Sequence, residues 1–253
     1  MTADMPAERT AVTARDRIYA EPQLSIAGFR FDDNVVAVFP DMIQRSVPGY
    51  ETIVAMTGTL AEQYLQPETR CYDLGCSLGA SLLSVRHAIG ERDCTLIGVD
   101  NSPAMVERCR ELIATQPAGA PTAIHCADIT EFPLENASLV VLNFTLQFVA
   151  REQRERLLRR ISDALQPGGI LVLSEKVCFD DEAHNRLMVD LHHHFKRAQG
   201  YSDLEISQKR SALENVLVPE TLDAHRARLR RVGFSSVDVW FQCFNFASLI
   251  AIK

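Results

Sequence analysis

Two carboxylates and an amide stand at intervals that suit recognition of a nucleoside: Asp100, Asp128 and Asn143. Asp100 closes the apolar run Cys94-Thr-Leu-Ile-Gly-Val99. It follows the glycine turn Tyr72-Asp-Leu-Gly75-Cys76-Ser77-Leu-Gly79 by roughly twenty residues, the spacing at which an acid holds ribose hydroxyls in open α/β sheets. Gly75 permits the sharp turn and Gly79 the close approach of the next helix, and N–H groups at the helix start are expected to face a polar ligand. In a dinucleotide fingerprint the second glycine lets a pyrophosphate touch the backbone; here Ser77 puts a side chain there. The turn therefore suits a phosphate-free nucleoside better than a dinucleotide, although a strand–loop–helix turn with no ligand has the same spacing. Asp128, with the backbone of Ile129 beside it, follows a third strand and can hold an adenine amino group or simply cap the next turn. Asn143, at the end of the apolar Leu139–Leu142 run, can face a ligand or be satisfied within its loop. Tyr50 is either a pocket wall or core packing.

These residues need a scaffold, and the chain spells one out. Strand signals at 70–74, 94–99, 122–126, 139–142 and 170–174 alternate with helical stretches at 80–90, 103–115 and 151–165. Ser102-Pro103 gives the second of these helices an N-cap and a proline at its first position. Pro167-Gly168-Gly169 is expected to stop the third. The run 179–231 lacks strand character and reads as inserted helices broken near Gly200 and Pro219. Residues 236–242 and 245–252 form two strand-like runs too close for a crossover, hence an antiparallel pair. The fold class is α/β: a Rossmann-like, seven-stranded sheet of the S-adenosyl-L-methionine (SAM) methyltransferase kind, with a terminal antiparallel strand and a helical insertion before the last two strands. Upstream, Asp32 or Asp33 caps a short helix through Val38, Pro40 interrupts it, and a helix at 50–65 completes an N-terminal helical cap. Residues 1–27 read as a poorly ordered lead-in, and 28–253 as a single SAM-binding domain.

Bulk properties narrow the function. The 253 residues are 47% hydrophobic and 23% charged, enough for one sizeable core. A net charge of -7 disfavours a basic nucleic-acid face and favours a small substrate. Seven scattered cysteines with no C-x-x-C point to reduced thiols in the cytoplasm. No apolar run reaches the roughly 18–20 residues of a membrane helix. His192-His193-His194 is a poor metal site, because consecutive helical residues point about 100° apart. No metal is expected.

The longer motifs carry more. Val38-Phe-Pro-Asp-Met-Ile-Gln-Arg-Ser-Val-Pro-Gly-Tyr50, Tyr72 to Gly79, Val141-Leu-Asn-Phe-Thr-Leu-Gln-Phe148, Leu204-Glu-Ile-Ser-Gln-Lys-Arg-Ser211 and Trp240-Phe-Gln-Cys-Phe-Asn-Phe246 resemble the carboxy-S-adenosyl-L-methionine synthase family over residues 28–253. The resemblance implies conversion of SAM and prephenate to carboxy-SAM and phenylpyruvate. Carboxy-SAM then serves a second enzyme as carboxymethyl donor to a wobble uridine of tRNA, so direct nucleic-acid binding is not required. It further implies that Tyr50, Gly75, Cys76, Ser77, Asp100, Asn101, Asp128, Ile129 and Asn143 line the nucleoside pocket. Arg210 would be the catalytic cation that holds the new carboxylate, from its own subunit or across a homodimer. A conventional SAM-dependent methyltransferase acting on a small molecule or tRNA, or a silent SAM-binding subunit, would share the pocket.

Overall fold

The computed structural model describes residues 14–23, 28–214 and 216–253. Its centre is a sheet in the order β3-β2-β1-β4-β5-β8-β7. Strands β1 (Arg70–Leu74), β2 (Thr95–Asp100), β3 (Thr122–Cys126), β4 (Ala137–Asn143) and β5 (Leu165–Cys178) pair in parallel. β8 (Phe246–Ile252) runs antiparallel to both β5 and β7 (Ser236–Cys243). The order reverses beside β1, and such a switch point opens a crevice at the carboxyl ends of the strands.

Alternation along the strands explains why both faces are covered. Leu139, Val141, Ile170 and Val172 point into one apolar cluster with Leu82, Val85 and Val106. Val140, Leu142, Leu171 and Leu173 point into another with Leu157, Leu158, Ile161 and Leu229. The first face is covered by α2 (Tyr50–Tyr64), α3 (Ala80–Ile89) and α4 (Pro103–Ala114), the second by α5 (Arg151–Ala164) and α8 (Leu222–Arg231). Strands buried on both sides must read as continuous apolar runs, as β4 does. Ser102 caps α4, its Oγ accepting from the Met105 N–H at 3.2 Å, with Pro103 in the first turn.

Three expectations are corrected. Pro40 does not interrupt the first helix: α1 spans Asp33–Ser46 with the proline inside it. A proline in a helix interior costs roughly 3 kcal/mol, so the last turn must be held from outside. Arg45 supplies that hold: it pairs with Asp41 at 2.9 Å, donates to the Gln199 carbonyl at 2.8 Å and lies 4.0 Å over the Tyr201 ring. Second, the third of the expected helices does end ahead of Pro167-Gly168-Gly169, at Ala164, but these residues form a bulge within β5, which begins at Leu165 rather than at Ile170. Ala137 pairs with Leu165 and Leu139 with Ile170, so four residues loop out between. Third, the insertion contains a short strand, β6 (Glu220–Thr221), parallel to Val177–Cys178. Two residues give too short a pattern to show periodicity. The rest of the insertion is helical: α6 (Glu182–Ala198), α7 (Asp203–Leu213) and then α8, with breaks at Gly200 and Pro219 as expected.

Most of the expected lead-in, residues 1–13 and 24–27, lies outside the described residues. Residues 14–23 pack on α1 and α7. The Asp16 N–H donates to Asp41, Tyr201 donates to the Asp16 carboxylate at 2.5 Å, and Gln208 donates to the carbonyls of Tyr19 and Glu21.

Candidate active site

A cavity of about 500 Å³ opens at the carboxyl ends of β1, β2, β4 and β5 beneath α1, within the range of small-molecule sites. One end is acidic. Asp73, Gly75, Ser77, Asp100, Asn101, Asp128, Ile129 and Asn143 all line it. Gly75 is obligatory: its φ is +82°, and a Cβ there would stand 2.3 Å from the Thr145 Oγ1. Ser77 holds φ +51° without being a glycine, a left-handed conformation that costs about 1–2 kcal/mol. Its N–H donates to the Asp100 Oδ2 at 2.9 Å, and the Ser102 N–H reaches Oδ1 at the same distance. These bonds fix the carboxylate with lone pairs left over for a ligand.

The first residues of the turn spend their N–H groups inside the protein. The amides of Gly75 and Cys76 both donate to the Val99 carbonyl, at 2.7 and 3.1 Å, and that of Ser77 is taken by Asp100. This part of the turn contributes room and a carboxylate rather than donors, and the N–H groups expected to face a ligand are those at the start of α3, where Ala80 and Ser81 line the cavity. Cys76 is buried and does not line the cavity; its thiol lies in the apolar cluster with Cys109.

Asp128 and Asn143 keep both of the readings open to them. The Asp128 Oδ1 accepts from the N–H and hydroxyl of Thr130, each at 2.8 Å, so it caps the turn, yet the residue is exposed at the cavity wall. Asn143 donates to Ser81 at 2.8 Å and accepts from Ser174 at 2.6 Å. With the amide so oriented, one N–H and one lone pair remain. Tyr50 packs its ring 6.3 Å from that of Phe144, which in turn lies 6.1 Å from Phe246. These three rings form the middle of the cavity, and burial followed by the Asp73 charge pushes the Tyr50 phenol upward.

Asp73 is the site residue that sequence reasoning missed. It is buried, lines the cavity, and its Oδ2 has no hydrogen-bond partner. Burial and then the Asp100 charge push its carboxyl up to about 7, against a backbone N–H bond from Leu82 that lowers it. Its place in the glycine turn was the available signal, but an acid there can point either way. The opposite end of the cavity is cationic: Lys176, His192, Lys196 and Lys209 line it. Burial first, and neighbouring cations after it, hold His192 neutral, with a value of about 3, and its Nε2–H donates to the Ser46 carbonyl at 2.8 Å. Arg210 is exposed on α7 and does not line the cavity of its own chain. Its charge nevertheless reaches inward, as a secondary cause of lowering Lys176 and His193. Among the described residues no group of three His, Cys, Asp or Glu side chains is placed to hold a metal.

Sheet order and site together define a protein of the methyltransferase fold class. Residues 72–169 match a methyltransferase-domain family model. Human N-acetylserotonin methyltransferase in complex with SAM superposes with a TM-score of 0.59 at 18% identity, over 87% of this chain and 55% of that one. An O-methyltransferase family protein from Burkholderia thailandensis gives 0.61 at 17%, over 88% and 60%. Closer relatives fix the family. The carboxy-S-adenosyl-L-methionine synthase of a Geobacter species is 60% identical over 94% of this chain and 98% of its own length. That of Marinobacter nauticus is 58% identical over 94% and 95%. The chain belongs to the carboxy-S-adenosyl-L-methionine synthase family.

Proposed function

We infer that this chain is an enzyme that converts SAM and prephenate into carboxy-SAM and phenylpyruvate, supplying the carboxymethyl donor for wobble-uridine modification in tRNA. The observation that carries the reading is the 60% identity running almost end to end to a relative of that name. The cavity's polarity agrees, with acids at one end for a cationic nucleoside and cations at the other for an acidic co-substrate.

The reaction balances without an outside base. The bond from the prephenate ring to its carboxylate breaks, and its electron pair aromatises the ring as the ring hydroxyl departs as hydroxide. The SAM methyl, acidified by the sulfonium, loses a proton; that proton and the hydroxide make water. The resulting methylene carbon forms a bond to the released carbon dioxide. Holding both reactants in one closed space supplies the effective concentration that a small, uncharged intermediate requires.

Roles follow for the chain's residues. Asp100 and Asn101 take the ribose hydroxyls, Asp128 and the Ile129 N–H the adenine edge, with Gly75, Cys76 and Ser77 shaping the turn. Asn143 and Tyr50 bound the methionine portion, and Asp73 pairs with its ammonium group. Arg210 binds the new carboxylate through two parallel hydrogen bonds. Exposed on its own chain, it serves the cavity of a second copy in a homodimer. Seven free thiols suit a reducing cytoplasm, and among the described residues no helix is long and apolar enough to cross a membrane. Residues 28–253 act as one SAM-binding domain, with 14–23 strapped to it.

The test is incubation of pure protein with SAM and prephenate, followed by mass analysis of the nucleoside. The expected product is heavier than SAM by one carbon dioxide. Methyl loss to an acceptor would make the chain a conventional methyltransferase, and unchanged SAM a silent binding subunit.

A further inference from the structure

Four basic side chains line the cationic end of the cavity, and they are not equivalent. Lys209 is engaged: its Nζ lies 3.0 Å from the Ser46 hydroxyl and 3.7 Å from the Asp16 carboxylate. His192 is neutral and donates to a backbone carbonyl. Lys176 and Lys196 differ. Among the described residues neither ammonium group has a hydrogen bond or an ion pair, although Lys196 is only 6% exposed and both line the cavity. Lys196 lies 5.3 Å from the face of Tyr201, and the charges of Asp16 and Glu205 reach it without either carboxylate pairing with it. Burial and then the charges of Lys209 and Lys176 push it down to about 7, and burial with Arg210 lowers Lys176. Two amines held partly out of water with no carboxylate paired to either are costly to charge, and an anionic ligand offsets that cost.

Resting on the prephenate reading above, we propose that Lys176 and Lys196 bind the pyruvyl carboxylate of the co-substrate and leave its ring carboxylate among Tyr50, Phe144 and Phe246. Prephenate carries two carboxylates with opposite fates. The ring carboxylate loses its charge as it departs as carbon dioxide, so a cation holding it would favour the starting state over the transition state. An apolar, water-poor stretch of cavity penalises that group only while it is charged. The pyruvyl carboxylate stays anionic from prephenate to phenylpyruvate. Gripping it binds ground state and transition state alike, which places the lysines' contribution in KM rather than kcat.

The experiment compares wild type with Lys176→Met, Lys196→Met and the double variant. The apparent KM for prephenate is expected to rise about tenfold in each single variant, with kcat little changed and SAM affinity by calorimetry unaltered. Phenylpyruvate, titrated into the protein without turnover, should bind wild type, lose affinity in parallel, and recover partly in Lys196→Arg. Retained SAM affinity doubles as the check on folding; where a methionine variant fails it, Lys176→Gln and Lys196→Gln are read instead. A fall in SAM affinity would assign the lysines to the methionine carboxylate and overturn the proposal. So would unchanged prephenate KM and phenylpyruvate affinity, or a loss confined to kcat. If wild type makes no carboxy-SAM, the reaction reading fails on its own, and direct titration of prephenate and phenylpyruvate into wild type and variants still decides the lysine site.

Discussion

At the scale of single residues, the site is built from acids whose oxygens are unequally occupied. Asp100 is held by two backbone donors, whereas Asp73 keeps one buried oxygen with no partner. An orphaned carboxylate in a dry place is worth most when a cation arrives. Its pH behaviour follows in sign. An aspartate titrates ordinarily near 3.9, and here the value is about 7, so in the ligand-free protein the group is neutral below that pH. SAM affinity should therefore weaken as pH falls from 7 towards 5, by up to about tenfold per unit while the complex keeps Asp73 ionised. The measurement stays below pH 7.5, because an α-amino group of the ligand type itself titrates at about 7.7–8.0. Asp73→Asn should bind weakly with a flat profile. A flat profile in wild type would remove Asp73 from the ammonium.

At the scale of elements, tertiary contacts decide what local propensity cannot. α1 runs through Pro40 because Arg45 anchors its last turn. β6 exists because Glu220 meets two guanidiniums: it pairs with Arg154, itself 1% exposed, and with Arg228 at 2.6 Å. Burial alone would raise the Glu220 carboxyl, but Arg228 and Arg154 outweigh it and hold the value at about 2. Arg154 also donates to the carbonyls of Gln147, Val149 and Val218. The pair thus ties the insertion to the loop after β4 that carries Phe144. Glu220→Gln leaves the buried Arg154 and the half-buried Arg228 without this anion, and the expected loss at pH 7 is about 3–5 kcal/mol in urea unfolding. This gap between wild type and variant should be full above about pH 5 and narrow as pH falls towards 2, because the wild-type carboxylate is stabilised only while ionised. A gap that is small at pH 7 or constant with pH would contradict the assignment.

At the scale of the whole molecule, the sequence Gln208-Lys209-Arg210 divides one turn of α7 among three tasks. Gln208 fastens residues 19–23, Lys209 faces the cavity beside Asp16, and Arg210 is exposed outside the cavity lining of its own chain. The proposed role of Arg210 across a homodimer makes a prediction at this scale. Arg210→Ala and Asp100→Ala homodimers should each make no carboxy-SAM, while co-expressed chains recover activity, because one site in the mixed dimer then has an intact nucleoside pocket and an arginine from the other chain. Absence of recovery would place Arg210 within its own subunit or outside the reaction. Much of this architecture was legible: the apolar run of β4, the cap of α4 and the acids that close strands are local signals. The cationic end was not, because Lys176, Lys196 and Lys209 come from three elements and only folding brings them together. The packing of residues 14–23 was hidden for the same reason. Asp16 finds its hydroxyl partner in Tyr201, 185 positions along the chain.

The amide hydrogens of the glycine turn, already committed to Val99 and Asp100, have a physiological meaning. ATP shares the adenosine half of the substrate and is abundant in any growing cell, so a pocket that reads only ribose and adenine risks permanent occupation by it. The committed amides of Gly75, Cys76 and Ser77 give a triphosphate tail no donors along that stretch, and the carboxylates of Asp73 and Asp100 in the same cavity oppose its charge, which favours the sulfonium nucleoside over this competitor.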